Sequence, residues 1–123
     1  MSIVSLNSTI TIAISVKDRH ASAEWYNKML GFELLYHADE AGWSELSTMT
    51  EQVTLGLAEQ AEPNPGNSVP VFGVADAHKA RKDLEAEGVE FDGETMVVEG
   101  MVITATFYDP DRNAVMIAQD LTI

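Results

Sequence analysis

Asp18 and His20 occur in TIAISVKDRH, and Asp76 and His78 occur in PVFGVADAHK, 58 positions further on. Between them lies Glu45, which alternates with Trp43 and Ser47 in WSELS. An indole and a carboxylate on one strand face can grip a cation or accept a hydrogen bond. The same carboxylate becomes a general base only if its surroundings raise its pKa. The plain alternative is a tryptophan capping the sheet edge and a solvated acid. The histidines are weaker candidates. His20 and His78 follow directly on an Asp suited to cap a helix, so both are expected exposed in a first helical turn. The surroundings of His37, before the acidic turn ADEAG, are not legible. Asp109 and Asp111 belong to the turn DPDRN, where they brace backbone amides. No nucleophile motif, phosphate-cradling loop or dinucleotide fingerprint is present. The absence of cysteine removes disulfides, thiolate metal sites and thiol chemistry. No residue is therefore assigned a catalytic role.

Charge narrows the range of partners. Twenty acidic residues oppose seven basic ones, a formal −13. Nucleic acid would be repelled, whereas a cationic small molecule would be drawn in. Excess acid also serves simply to keep a protein soluble. No apolar run approaches the roughly 18 residues of a membrane span. MSIVSLNSTI lacks the basic start and long apolar core of a leader. These features predict a soluble, cytoplasmic chain that binds neither nucleic acid nor membrane.

The elements that would position these residues come in two sets. Ile10, Ile12, Ile14 and Val16 alternate with Thr11, Ala13 and Ser15, a strand with one apolar and one small face. Asp18 caps a helix over RHASAEWYNKML, whose Ser22, Trp25, Tyr26, Met29 and Leu30 face the sheet, and Gly31 ends it. Strands over FELLYH, GWSELST and VTLGLA follow. After the Pro- and Gly-rich EQAEPNPGNS the order repeats: a strand over Val69–Val74, the Asp76 cap, a helix over AHKARKDLEAE ending at Gly88, and strands near 94–98, 102–108 and 114–119. The prediction is an α+β fold in one domain, residues 1–123. Module one covers about 9–60, the linker 61–67 and module two about 68–120. The two tandem βαβββ modules form a curled mixed sheet around a cleft, with the helices outside.

ITIAISVKDRHASAEWYNKMLGFE, VFGVADAHKARKDLEAEGVEF and FYDPDRNAVMIA, occurring in that order, resemble the vicinal oxygen chelate superfamily of glyoxalases, bleomycin-resistance proteins and ring-cleaving dioxygenases. In its metal-using members four inward strand positions ligate a divalent ion. The resemblance puts those positions at Thr11, Gly56, Val69 and Met116, which offer one weak hydroxyl and no imidazole or carboxylate. No metal and no cofactor is therefore expected, and metal-dependent isomerisation or dioxygenation is not carried over. The cleft would be lined by small or apolar residues: Thr11, Ala13, Gly56, Val69, Val71 and Met116, with Trp43 and Glu45 as anchors. Met101 joins them as a candidate ligand contact, with core filling the simpler role for it and for Met49 and Met96. The expectation is a metal-independent small-molecule binding protein, sequestering a cationic or aromatic compound such as an antibiotic. The alternative is a lyase or isomerase-like enzyme using a cleft carboxylate or an unrecognised metal site. The resemblance and the exposed sheet edges imply a homodimer.

Overall fold

Two four-stranded sheets, each with one helix, account for the chain in the computed structural model, which describes residues 3, 5, 7–66 and 68–122. Residues 1, 2, 4 and 6, part of the leader reading, and Asn67, in the expected linker, lie outside the described residues. The chain divides into two units, Met1–Glu62 and Pro63–Ile123.

In the first unit β1 (Ile10–Val16) leads to α1 (Arg19–Leu30), then β2 (Glu33–Ala38), β3 (Trp43–Ser47) and β4 (Val53–Glu59). The sheet order is β1-β4-β3-β2. Its β1–β4 pair is parallel and the other two pairs are antiparallel. The helix begins where Asp18, in extended conformation, accepts the Ala21 N–H at 3.0 Å. It ends at Gly31, whose left-handed φ of 75° suits glycine. Tyr26, Val16, Leu46 and Leu57 are fully or almost fully buried, forming the core between α1 and the sheet. A short 3₁₀ turn, Asp39–Ala41, joins β2 to β3.

The second unit repeats the order with β5 (Val71–Gly73), α2 (Ala77–Ala86), β6 (Phe91–Val98), β7 (Val102–Tyr108) and β8 (Ala114–Asp120). The sheet order is β5-β8-β7-β6, and β5–β8 is its parallel pair. Asp76 caps α2 by accepting the Lys79 N–H at 3.0 Å. Phe107 and Ile117 anchor the core beneath α2. Asp109 braces the DPDRN turn, accepting the Asp111 and Asn113 N–H groups at 2.9 and 2.8 Å.

Two elements depart from the sequence expectation. The strand expected over Val69–Val74 is only three residues long, because Pro70 has no N–H to donate and biases its predecessor. The Pro70 carbonyl still accepts the Met116 N–H at 2.9 Å. The strand expected from about 94 begins at Phe91. A register shift between Asp92 and Met96, with Gly93 at φ 66°, disrupts the alternation that would have shown it.

Candidate functional site

Alternation along β3 sends its residues to opposite faces of the first sheet. Ser44 and Leu46 turn toward the α1 side and are buried, whereas Trp43, Glu45 and Ser47 share the other face and are half-buried. The sheet register places Tyr36, Glu45, Gly56 and Ala13 on one rung of that second face. Thr11 and Thr54 lie on a rung two residues along.

Glu45 is the centre of a hydrogen-bond network. Its Oε1 accepts the Trp43 indole N–H at 2.9 Å and the Tyr36 hydroxyl at 3.1 Å. Its Oε2 accepts the Thr54 hydroxyl at 3.0 Å. Because the Thr54 proton is committed there, Thr11 donates to Thr54 Oγ1 across 2.9 Å. The Trp43 N–H first, then the Thr54 and Tyr36 hydroxyls, hold the Glu45 carboxyl below its ordinary pKa against the opposing effect of burial. The bond to Glu45 in turn raises the Tyr36 phenol. Glu45 is thus a stable, oriented anion between two aromatic rings. A base with a raised pKa, as the enzymatic alternative requires, is the opposite of what this environment produces.

Gly56 has a specific role beside this network. A Cβ built on it would lie 2.0 Å from Trp43 Cζ2 and 2.3 Å from Cη2. The indole therefore occupies the space that any side chain at position 56 would need. The four positions that the resemblance gives for a metal do not fit one. Gly56 has no donor and its side-chain volume is taken, Thr11 is engaged with Thr54, and Val69 and Met116 bring a hydrocarbon and a thioether.

The sequence-predicted residues separate by unit. Thr11, Ala13, Trp43, Glu45 and Gly56 come together on the first sheet. On the second, Val71 and Met116 are direct neighbours across β5–β8, with Val69 just outside the strand. Met101 does not join them. It precedes the Val102–Asp120 rung, four residues along the ladder from Met116, roughly 13 Å or more away, and it is 60 % exposed.

Sequence reasoning missed a second polar cluster on the α1 side of the first sheet. Arg19 is only 4 % exposed and donates to Ser44 Oγ at 2.8 Å, the Trp43 carbonyl at 3.1 Å and Asp39 Oδ1 at 3.0 Å. Its Nε lies 3.2 Å from Glu59 Oε1, an ion pair without the alignment of a hydrogen bond. His37 Nδ1 lies 2.6 Å from Ser44 Oγ, and the His37 ring stacks on His20 at 3.8 Å between centroids. His20 Nε2 is 3.0 Å from Asp39 Oδ1. His20 and then Arg19 lower the Asp39 pKa. Local sequence gives no hint that β2 and α1 bring these rings together.

Comparison with known proteins agrees with this fold. A family model described as Glyoxalase/Bleomycin resistance protein/Dioxygenase superfamily matches residues 9–117. No curated protein gives a significant match. Among solved structures, a Sphaerobacter thermophilus member of the same superfamily aligns with TM-score 0.77 at 18% identity, covering 94% of this chain and 98% of that one. TnmS3, an antibiotic binding protein from Streptomyces, aligns with TM-score 0.77 at 21% identity, covering 95% and 98%. The fosfomycin resistance protein FosX from Listeria monocytogenes, in complex with Mn(II), aligns with TM-score 0.72 at 17% identity, covering 96% and 92%.

Proposed function

From the premise that the chain belongs to the glyoxalase/bleomycin resistance protein/dioxygenase superfamily, we propose that it is a metal-independent binding protein for a cationic, aromatic small molecule. One observation carries this reading: Glu45 is kept ionised by three side-chain donors while two of them, Trp43 and Tyr36, frame it with aromatic surface. A planar cation gains from both the carboxylate and the rings, and the net charge of −13 favours its approach. That TnmS3, of the same fold, is an antibiotic binding protein supports a small-molecule ligand. We take the working form to be a homodimer, supported by the exposed Leu35 on β2 and Met96 and Val97 on β6, both edge strands.

The test is tryptophan quenching by a cationic acridine, with and without EDTA. Saturable quenching, weakened by salt, unaffected by EDTA and reduced about tenfold in affinity by Glu45→Gln, is the expected result, one hydrogen bond to a charged group being worth about that much. The acridine must be recovered chemically unchanged. No quenching across a panel of cationic aromatic and glycopeptide drugs removes the proposal, and a modified product replaces it with catalysis.

A further inference from the structure

The cluster on the α1 side of the first sheet has a different chemistry from the Glu45 face, and we propose that His20, His37 and Asp39 form a binding site for one first-row transition-metal ion of the zinc, nickel or copper class. This goes beyond the small-molecule reading and stands independently of it. One ligand atom from each of the three lies within 4.8 Å of the others, and among the described residues no other such group of His, Cys, Asp or Glu occurs. With metal–ligand bonds of about 2.0–2.2 Å, two donors at a near right angle lie about 3 Å apart. That is the spacing between His20 Nε2 and Asp39 Oδ1, 3.0 Å. An ion therefore takes the place of the His20–Asp39 hydrogen bond with little movement of those two atoms, and the His37 ring, stacked on His20 at 3.8 Å, turns to aim its free nitrogen at the same point.

The site has support behind its ligands. His37 Nδ1 is held at 2.6 Å by the Ser44 hydroxyl, which is fully buried and takes a further bond from Arg19. With Nδ1–H donating to Ser44, the lone pair at Nε2 is the coordinating one, the usual way a metal-binding histidine is fixed. Arg19 is the opposing charge. A carboxylate has about four acceptor positions, so Asp39 accommodates both Arg19 and an ion. Two imidazoles with one carboxylate select zinc, nickel or copper over calcium and magnesium.

The remaining coordination positions have somewhere to face. An open hollow of about 390 Å³ is lined by His20, Ala23, Glu24, Asn27, Leu34 and His37. Glu24 is four residues after His20 and so on the same side of α1, within the lining of that hollow. Water from the hollow fills the positions the three protein ligands leave open. The duplicated half does not reproduce the arrangement. Ala77 stands between Asp76 and His78 where Arg19 stands between Asp18 and His20, and its N–H is taken by the Gln119 side chain.

Titrating the tag-free protein with Co²⁺ and Zn²⁺ at about pH 7.5 tests the proposal, since metal binding competes with protons for its ligands. One ion per chain is expected, with a Co²⁺ absorption band and shifted imidazole resonances for two of the three histidines. His20→Gln and His37→Gln should each weaken binding about tenfold or more, while His78→Gln leaves it unchanged. His20 is exposed on the helix, so its variant should keep the parent melting curve even if the His37 variant does not. Absence of saturable binding, or binding that survives His20→Gln or is lost with His78→Gln, overturns it.

Discussion

Replacing Gly56 with alanine adds one carbon where Trp43 already stands. The new Cβ would meet the indole at 2.0 Å, closer than any real contact, and the backbone at Gly56 is not left-handed, so the clash alone determines the outcome. The ring can swing aside only by giving up its hydrogen bond to Glu45 Oε1. A bond to a charged group contributes roughly 1.5–3 kcal/mol, and loss of glycine's chain freedom returns roughly 0.5–1 kcal/mol. The net destabilisation is therefore about 1–2 kcal/mol, within the range for inserting a methyl group into a packed site. The assay is urea unfolding, with Trp43 emission read in a Trp25→Phe background. Gly56→Ala should shift that emission and lower the midpoint. In the Trp43→Ala background the same substitution should be neutral or stabilising, leaving a coupling energy of about 1–3 kcal/mol between the sites. Equal cost in both backgrounds, or an unshifted Trp43 spectrum, refutes the claim that position 56 is a glycine because of the indole.

Glu45 should also make stability depend on pH. Its folded pKa lies below the 4.5 of the free group, so its contribution is present above about pH 4.5 and is lost as pH falls through the folded value. The stability gap between the protein and Glu45→Gln should be constant from pH 7 to about 5 and shrink below that; a gap unchanged down to pH 3 contradicts the network. Arg19→Met keeps the side-chain bulk but leaves the Trp43 carbonyl without that donor, at about 1–3 kcal/mol, and removes a charge-assisted bond from Ser44, which keeps His37, at about 1 kcal/mol. Chemical denaturation should show a loss of about 2–4 kcal/mol, and a loss under 1 kcal/mol means that water replaces the guanidinium.

Local chemistry is what the sequence made legible. The two Asp caps, Gly31 and the alternation of Ile10 to Val16 act within a few residues of themselves, and each appears in the structure where its spacing indicates. The rung that gathers Ala13, Tyr36, Glu45 and Gly56 was half visible: alternation put Trp43 and Glu45 on one face, but the arrival of Tyr36 depends on a register shift in β2 after Leu34. Gly56 looked like an empty position, because nothing near it in sequence shows the indole of the neighbouring strand filling the space. Arg19 was the least legible. An arginine in a first helical turn usually points to water, and only the start of β3, the 3₁₀ turn before it and the end of β4 give it partners: buried Ser44, the half-buried Trp43 carbonyl, and the exposed carboxylates of Asp39 and Glu59. Caps and periods are short-range signals, whereas these polar clusters are set by which strands become neighbours.

β3 is a wall one residue thick between two different chemistries. Ser44 fastens the imidazole and guanidinium groups behind it, and its neighbour Glu45 fastens the indole, phenol and threonine hydroxyls in front. A slide of that strand by a single residue would exchange the two sets, presenting serine where the anion belongs and burying the anion against the helix. The identity of both surfaces is thereby tied to one alignment, which leaves five consecutive residues little freedom to drift independently.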